Sequence, residues 1–296
     1  GTGVIMSRMN RRDFLKASAI TAAVGGAAGL SSKLFLGKGA SAKAATLNIW
    51  NLPAFTPASG TYRPDSTWNS FAQHYKFPTW YRNAKYGIWA HWSPQSVPEY
   101  GDWYALHMYN QGTAQYNYHV AHYGHPSKFG YKDITHLFTG SQWNPNSLLQ
   151  LYAQQGGAKY FMALANHHDN YDNWDSTYQP WNSKTVGRKS SIIGEWETAT
   201  RAQGIHFGVT YHACPGPSWG FFLPARYGHD RTGTYAGVAY DGVTTKAQGA
   251  GKWWNGLDPQ DLNGYVHTGP GYHPKDTDAF VRQFYWRVDD LITKHK

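Results

Sequence analysis

The sequence predicts an α/β fold built on parallel strands, and three observations carry that prediction. Residues 159–165 form a nearly continuous apolar run between Gly156-Gly157 and a polar cluster, which suits a strand buried on both faces. A helical pattern precedes that run, and the same helix-then-strand order recurs over residues 191–211, an alternation that implies parallel βαβ units. The first run stops abruptly in Asn166-His167-His168-Asp169, and the carboxyl end of a buried parallel strand is where α/β enzymes keep their chemistry. Adjacent strand residues point to opposite faces, so His167 and His168 can share one ligand only if the strand ends or bulges there.

Composition narrows the class further. The chain has 296 residues, 41% hydrophobic and 15% charged, enough for one large domain with a real core. Aromatic residues make up 17%, many of them beside Gly, Pro, Asn or Asp, and loop-borne rings of this kind build rigid amphipathic surfaces suited to sugars as well as packing the loops themselves. The net charge of +9 is uneven: Arg8, Arg11, Arg12, Lys16, Lys33, Lys38 and Lys43 against Asp13 place +6 in residues 1–44, leaving +3 for the rest. The basicity belongs to a leader, which argues against a nucleic-acid partner. Cys214 is the sole cysteine, so no internal disulfide forms.

In chain order, Asn10-Arg11-Arg12-Asp13-Phe14-Leu15-Lys16 is followed by a weakly apolar run over residues 17–30 and by Ala40-Ser41-Ala42 and Ala42-Lys43-Ala44. This resembles a twin-arginine signal peptide over residues 1–44, with the paired arginines, a run too short to span a bilayer and a small-x-small cleavage site. It implies handling by the Tat export machinery, a periplasmic or extracellular location, and no membrane association after cleavage. Residues before Met9 read as an upstream mis-start. Residues 45–296 form the globular part. After a Pro-rich entry at 53–64, residues 86–90 read as the first strand, ending at His91, with a loop through Tyr100-Gly101-Asp102-Trp103-Tyr104. Residues 112–125 fit neither period. His119, His122 and His125 recur every three residues, a spacing that would suit metal only on a helix, which Gly124 and Pro126 break, so no metal site is assigned.

Asn144 as N-cap and Pro145 in the first turn open a helix carrying Leu148, Leu149, Leu151 and Tyr152, and Gly156 or Gly157 closes it before the strand at 159–165. Ser191 caps a second helix with Ile192, Ile193, Trp196 and Ala199 inward; Gly204 stops it, and residues 206–211 form the next strand. Residues 212–275 show no periodicity, and so long a loop after a strand is expected to be functional. Thr277 and Asp278 begin a last helix with Phe280, Val281, Phe284, Val288, Leu291 and Ile292 on one stripe.

These residues carry a family resemblance. Ala84-Lys85-Tyr86-Gly87-Ile88-Trp89-Ala90-His91-Trp92 with Ser96-Val97-Pro98-Glu99-Tyr100-Gly101-Asp102-Trp103-Tyr104 resembles the first signature of glycoside hydrolase family 29, the α-L-fucosidases. His167-His168-Asp169 with Trp174-Asp175-Ser176 and Trp181-Asn182-Ser183 is similar to the second. Residues 204–209 and 256–262 fit a bacterial subgroup, so the likeness covers nearly all of residues 76–296.

The resemblance implies the N-terminal part of a (β/α)8 TIM-like barrel, about three βα units of it, from an enzyme that removes terminal α-L-fucose from oligosaccharides or glycoconjugates with retention and without a cofactor. Position by position, His91, His167 and His168 would hydrogen-bond fucose hydroxyls and Trp103 would lie against the sugar's apolar face. Asp102 stands where the family often has Glu, Tyr211 matches a variable strand-end position, and Asn166 replaces a lysine that often precedes the paired histidines. Independently, neutral imidazoles supply the convergent donors and acceptors that adjacent hydroxyls need, and aromatic rings cover C–H faces.

Retaining hydrolysis needs a carboxylate nucleophile and a second carboxyl group about 5 Å away. By the resemblance the nucleophile is an Asp ending the strand after the last helix, so it and the acid/base are expected beyond Lys296. Asp169, Asp172 and Asp175 are assigned to loop structure, and residues 45–296 alone are expected to be inactive and poorly soluble. Two other classes are weighed against this: a metal-dependent hydrolase using His91, His167, His168 and Asp169, and a non-catalytic sugar-binding protein.

Overall fold

The computed structural model describes residues 47–56, 68–213, 220–264 and 274–295. The leader pattern and Cys214 lie outside the described residues. Helix α1 (Thr79–Ala84) leads into strand β1 (Ile88–Ala90), and helices α2 (Ala114–His122) and α3 (Tyr131–Leu137) follow. Helix α4 (Pro145–Gln150) returns the chain to β2 (Tyr160–Asn166), and α5 (Ile192–Ala202) returns it to β3 (His206–Tyr211). Short helical segments follow β3 in the described residues, and the last helix is α6 (Pro274–Lys294). None of the described helices is long and apolar enough to cross a membrane.

The three strands form one parallel sheet in the order β1-β2-β3. The central strand is the apolar run seen in the sequence, with Phe161, Ala163, Leu164 and Ala165 buried. β1 is shorter than the predicted 86–90, because Lys85, at φ 61°, turns the chain out of α1 just before it. Pairing of β2 with β3 runs in step from Tyr160 to Leu164 and then slips, so that Asn166 rather than Ala165 lies opposite Tyr211. Such a bulge re-aims the side chains that follow it. The break therefore falls one residue before the histidine pair.

Both predicted caps form. Asn144 Oδ1 accepts from Ser147 N at 3.1 Å, Ser191 Oγ accepts from Gly194 N at 3.0 Å, and each satisfies an amide that the first helical turn leaves without a partner. α4 runs on through one π turn, Leu151–Gln155, before Gly157 adopts φ 74°; Gly204, at φ 67°, stops α5. Ile192, Ile193, Trp196 and Ala199 are buried, and they join Phe161, Leu149, Trp174 and Trp181 in the main core.

Residues 112–125 resolve into α2, capped by Thr113 and ended by Gly124 at φ 95°. The three histidines there go separate ways. His119 bonds the Tyr104 hydroxyl and Phe129 O, His122 bonds Tyr118 O, and His125 meets Ser127 Oγ and the Asp230 carboxylate.

α6 departs from its expected face. Phe280 and Leu291 are buried, but Val281 is 39% and Ile292 58% exposed, while Gln283, Arg287 and Asp290 point inward. The reason is electrostatic. Arg287 is fully buried and forks onto the buried Asp172, with Nε 3.0 Å from Oδ2 and Nη2 on Oδ1, and its Nη1 reaches Asn170 Oδ1 at 2.7 Å. Asp290 accepts from Trp174 Nε1 and Thr177 Oγ1. With Arg287 turned outward, Asp172 would be left as a buried carboxylate without its counter-charge.

The described part of the aperiodic stretch after β3 includes two short helices, Leu223–Tyr227 and Pro259–Asn263, with isolated bridges between His229 and Ala239 and between Asp230 and Ala236. It is tied down by side chains. Asp241 accepts from Tyr109 and Lys132, Asp230 accepts from Tyr116 and Tyr240, and Asn170 Nδ2 donates to the carbonyls of Asp261 and Leu262.

Candidate sugar-binding site

The site stands at the carboxyl ends of the three strands. β1 ends at Ala90 and releases His91, β2 ends at Asn166 and releases His167 and His168, and β3 ends at Tyr211 and releases His212. The His212 amide donates to Asn166 O at 3.0 Å, holding the last two strand ends together. Asn166 keeps the turn behind the pair closed, its Nδ2 donating to Tyr171 O and to Asp172 Oδ1.

Four imidazoles converge there. Ring centres lie 4.7 Å apart for His91 and His167, 4.8 Å for His167 and His168, 5.0 Å for His91 and His212, and 5.3 Å for His167 and His212. Trp103 meets His168 edge-on at 6.1 Å and Phe221 at 5.4 Å, and Phe221 in turn lies 5.5 Å from His168. Trp89 lies 4.7 Å from His91 and donates its indole N–H to Thr210 Oγ1. The result is a cluster of polar ring edges against aromatic faces, the pairing a hexose needs.

The charge state of the rings follows from their surroundings. Burial, followed by the neighbouring imidazoles, pushes His167 down to about 3. His91, His168 and His212 are lowered too, in each case chiefly by burial. All four are therefore neutral at pH 7, each ring with one donor and one acceptor nitrogen. Gln95, on the turn Pro94–Ser96, sets which is which for His167. Its Nε2 lies 2.7 Å from His167 Nδ1, while its Oε1 accepts from Ala105 N at 3.4 Å. With the amide nitrogen donating to Nδ1, the His167 proton sits on Nε2.

Of the residues singled out from the sequence, His91, His167, His168 and Trp103 come together. Asp102 is exposed and at the rim: its Oδ1 accepts from Trp103 N at 2.8 Å, and its charge acts on His91 and His168. Tyr211 lies elsewhere. Its ring packs on Phe284 and Trp174 with the Arg287 guanidinium 5.9 Å from its centre, because it and His212 project from β3 in opposite senses. His212 fills the corner instead. The rule that singled out His91, a histidine directly after a strand, applies equally to His212. Gln95 and Phe221 had no comparable signal, since each is brought in by a loop.

The nearby acids are otherwise engaged. Asp169 is buried, accepts from the Tyr131 hydroxyl at 2.5 Å and from Tyr171 N at 3.3 Å, and is pushed up to about 7 by that burial. Asp172 belongs to Arg287. Asp175 is exposed, and its carbonyl accepts from Lys294 Nζ.

Comparison with known proteins gives a consistent result. The family model described as alpha-L-fucosidase matches residues 54–296. The chain is 36% identical over 154 residues to tissue alpha-L-fucosidase of Bos taurus, a stretch that covers 51% of this chain and 32% of that protein. The human tissue alpha-L-fucosidase is 35% identical over 154 residues, with the same coverage. The crystal structure of Thermotoga maritima alpha-fucosidase aligns at 32% identity with a TM-score of 0.47, covering 50% of this chain and 37% of that one. The match thus spans about a third of the length of these relatives.

Proposed function

The chain belongs to the alpha-L-fucosidase family, and from that premise we propose that its histidine pocket holds the terminal α-L-fucose of an oligosaccharide or glycoconjugate. The observation that carries the reading is the convergence of His91, His167 and His168 with Trp103 at the carboxyl end of the parallel sheet. Neutral imidazoles hydrogen-bond the sugar hydroxyls as donors and acceptors, with His167 Nε2–H a donor because Gln95 occupies Nδ1. Trp103, 43% exposed, covers the apolar face, and Asp102 accepts from a hydroxyl at the rim.

The parent enzyme, on this reading, closes the sheet into a (β/α)8 barrel and hydrolyses the glycosidic bond with retention, using two carboxyl groups about 5 Å apart. We propose that neither of those carboxylates lies within residues 45–296. The engagement of Asp169 with Tyr131 and of Asp172 with Arg287 supports that placement, because neither acid is free to attack an anomeric carbon. The leader supports export by the Tat route to the periplasm or beyond.

Calorimetric titration of residues 45–296 with L-fucose, alongside an assay with an aryl α-L-fucoside, tests both halves. Saturable binding that is lost in His168→Ala, with no turnover, is expected. Absence of binding by the folded chain would overturn the pocket assignment, and turnover would overturn the placement of the carboxylates.

A further inference from the structure

We propose that the histidine pocket is also a site for a late transition-metal ion such as Zn2+, with His91, His167 and His212 as ligands and the Gln95 amide deciding between metal and sugar. Ligand nitrogens of these three residues all lie within 4.8 Å of one another. Zinc–nitrogen bonds of about 2.0–2.1 Å in a tetrahedral site set nitrogens roughly 3.4 Å apart, so the rings must close by an ångström or so. His167 is buried and fixed, whereas His91 is exposed and His212 half-buried, which leaves the two outer rings free to make that movement. Three imidazoles with an open fourth position are a common zinc donor set, and imidazole equally suits Cu2+ and Ni2+. The other histidine group, His119, His122 and His125, lacks this property, since each ring there is held by its own partner.

Gln95 gives the site two exclusive states. In the arrangement described, its amide nitrogen donates to His167 Nδ1, so Nε2 carries the proton and cannot ligate. Rotation of the amide by half a turn, which gives up the long 3.4 Å bond from Ala105 N, presents Oε1 instead; Nδ1 then carries the proton and donates it, and the Nε2 lone pair is free for metal. This is the outer-shell contact by which proteins orient metal-binding histidines. One amide therefore selects a hydrogen-bond donor for a sugar hydroxyl or a ligand for a cation. Only the competition with sugar rests on the fucose reading; the metal site stands on the three histidines alone.

The test titrates the full chain, freed of metal by chelator, with ZnCl2 by calorimetry and with Cu2+ by electron paramagnetic resonance. One Zn2+ per chain is expected, lost in His212→Gln, with imidazole nitrogen splitting in the Cu2+ spectrum. Gln95→Glu locks a carboxylate oxygen onto Nδ1–H, and it should tighten Zn2+ by on the order of 10-fold while weakening L-fucose. Zn2+ uptake that is absent, or that ignores both substitutions, overturns the proposal. Zn2+ held through His212 but indifferent to saturating L-fucose leaves the metal site standing and counts against the sugar reading. L-fucose binding without Zn2+ does the reverse.

Discussion

His167 and Asp169 stand two residues apart, and burial drives their proton affinities in opposite directions. His167 is lowered to about 3 by burial and by the imidazoles around it, against an ordinary value of 6.5. Between those two values the unfolded chain binds a proton that the folded chain refuses, so stability falls as pH drops through that window. Gln in place of His167 removes this contribution. The loss of melting temperature between pH 7 and pH 4 should therefore be smaller in His167→Gln than in the parent, read by thermal unfolding monitored by circular dichroism. Asp169 shows the opposite sign. Raised by burial from 3.8 to about 7, it keeps a proton in the folded chain that the unfolded chain has lost, so its contribution to stability declines as pH climbs from 3.8 through 7. Asp169→Asn, which still accepts from Tyr131, should melt closer to the parent at pH 8 than at pH 5. Equal differences at both pH values would show that Asp169 titrates normally.

At the scale of elements, α5 and α6 show what local pattern reveals and what it hides. Ser191 caps α5 as its sequence signal requires, and Ser191→Ala should cost about 1 kcal/mol in urea unfolding with the slope unchanged. The helical period of α6 was equally plain, but the choice of its inward face was not. Apolar spacing favours Val281 and Ile292, and the chain turns them out so that Arg287 and Asp290 can meet Asp172 and Trp174. Breaking a buried ion pair from one side leaves a charge without compensation, so Arg287→Met should lose about 3–5 kcal/mol. Because Arg287 grips Asn170 and Asp172 just behind His168 and lies against Tyr211 just before His212, the same variant should also bind L-fucose more weakly at temperatures where it stays folded. An Arg287→Met chain of parental stability would show that α6 does not anchor this loop.

For the molecule as a whole, the sheet is the element with most left to satisfy. Among the described residues β1 and β3 are its edges, and Trp89 on β1 is 51% exposed beside Tyr86 at 49%. Open parallel edges and bared rings recruit other chains. Residues 45–296 on their own should therefore bind an apolar dye such as ANS and self-associate at micromolar concentration in sedimentation velocity. A monodisperse, dye-silent chain would mean that these surfaces are covered in solution.

The sequence by itself determined the parallel βαβ order, the two capped helices, the strand ends bearing His91 and the His167-His168 pair, and the family signatures. These are local matters of periodicity, capping chemistry and contiguous residues, and each is written within about a dozen positions of chain. The tertiary structure decided the rest. Whether Tyr211 or His212 enters the pocket depends on which face of β3 each residue takes after the slip in pairing with β2. Gln95 and Phe221 reach the histidines only because loops fold back over the sheet, and the inward face of α6 follows from a buried Asp172 more than a hundred residues earlier. Contacts of that range depend on how distant segments meet, and no local period records them.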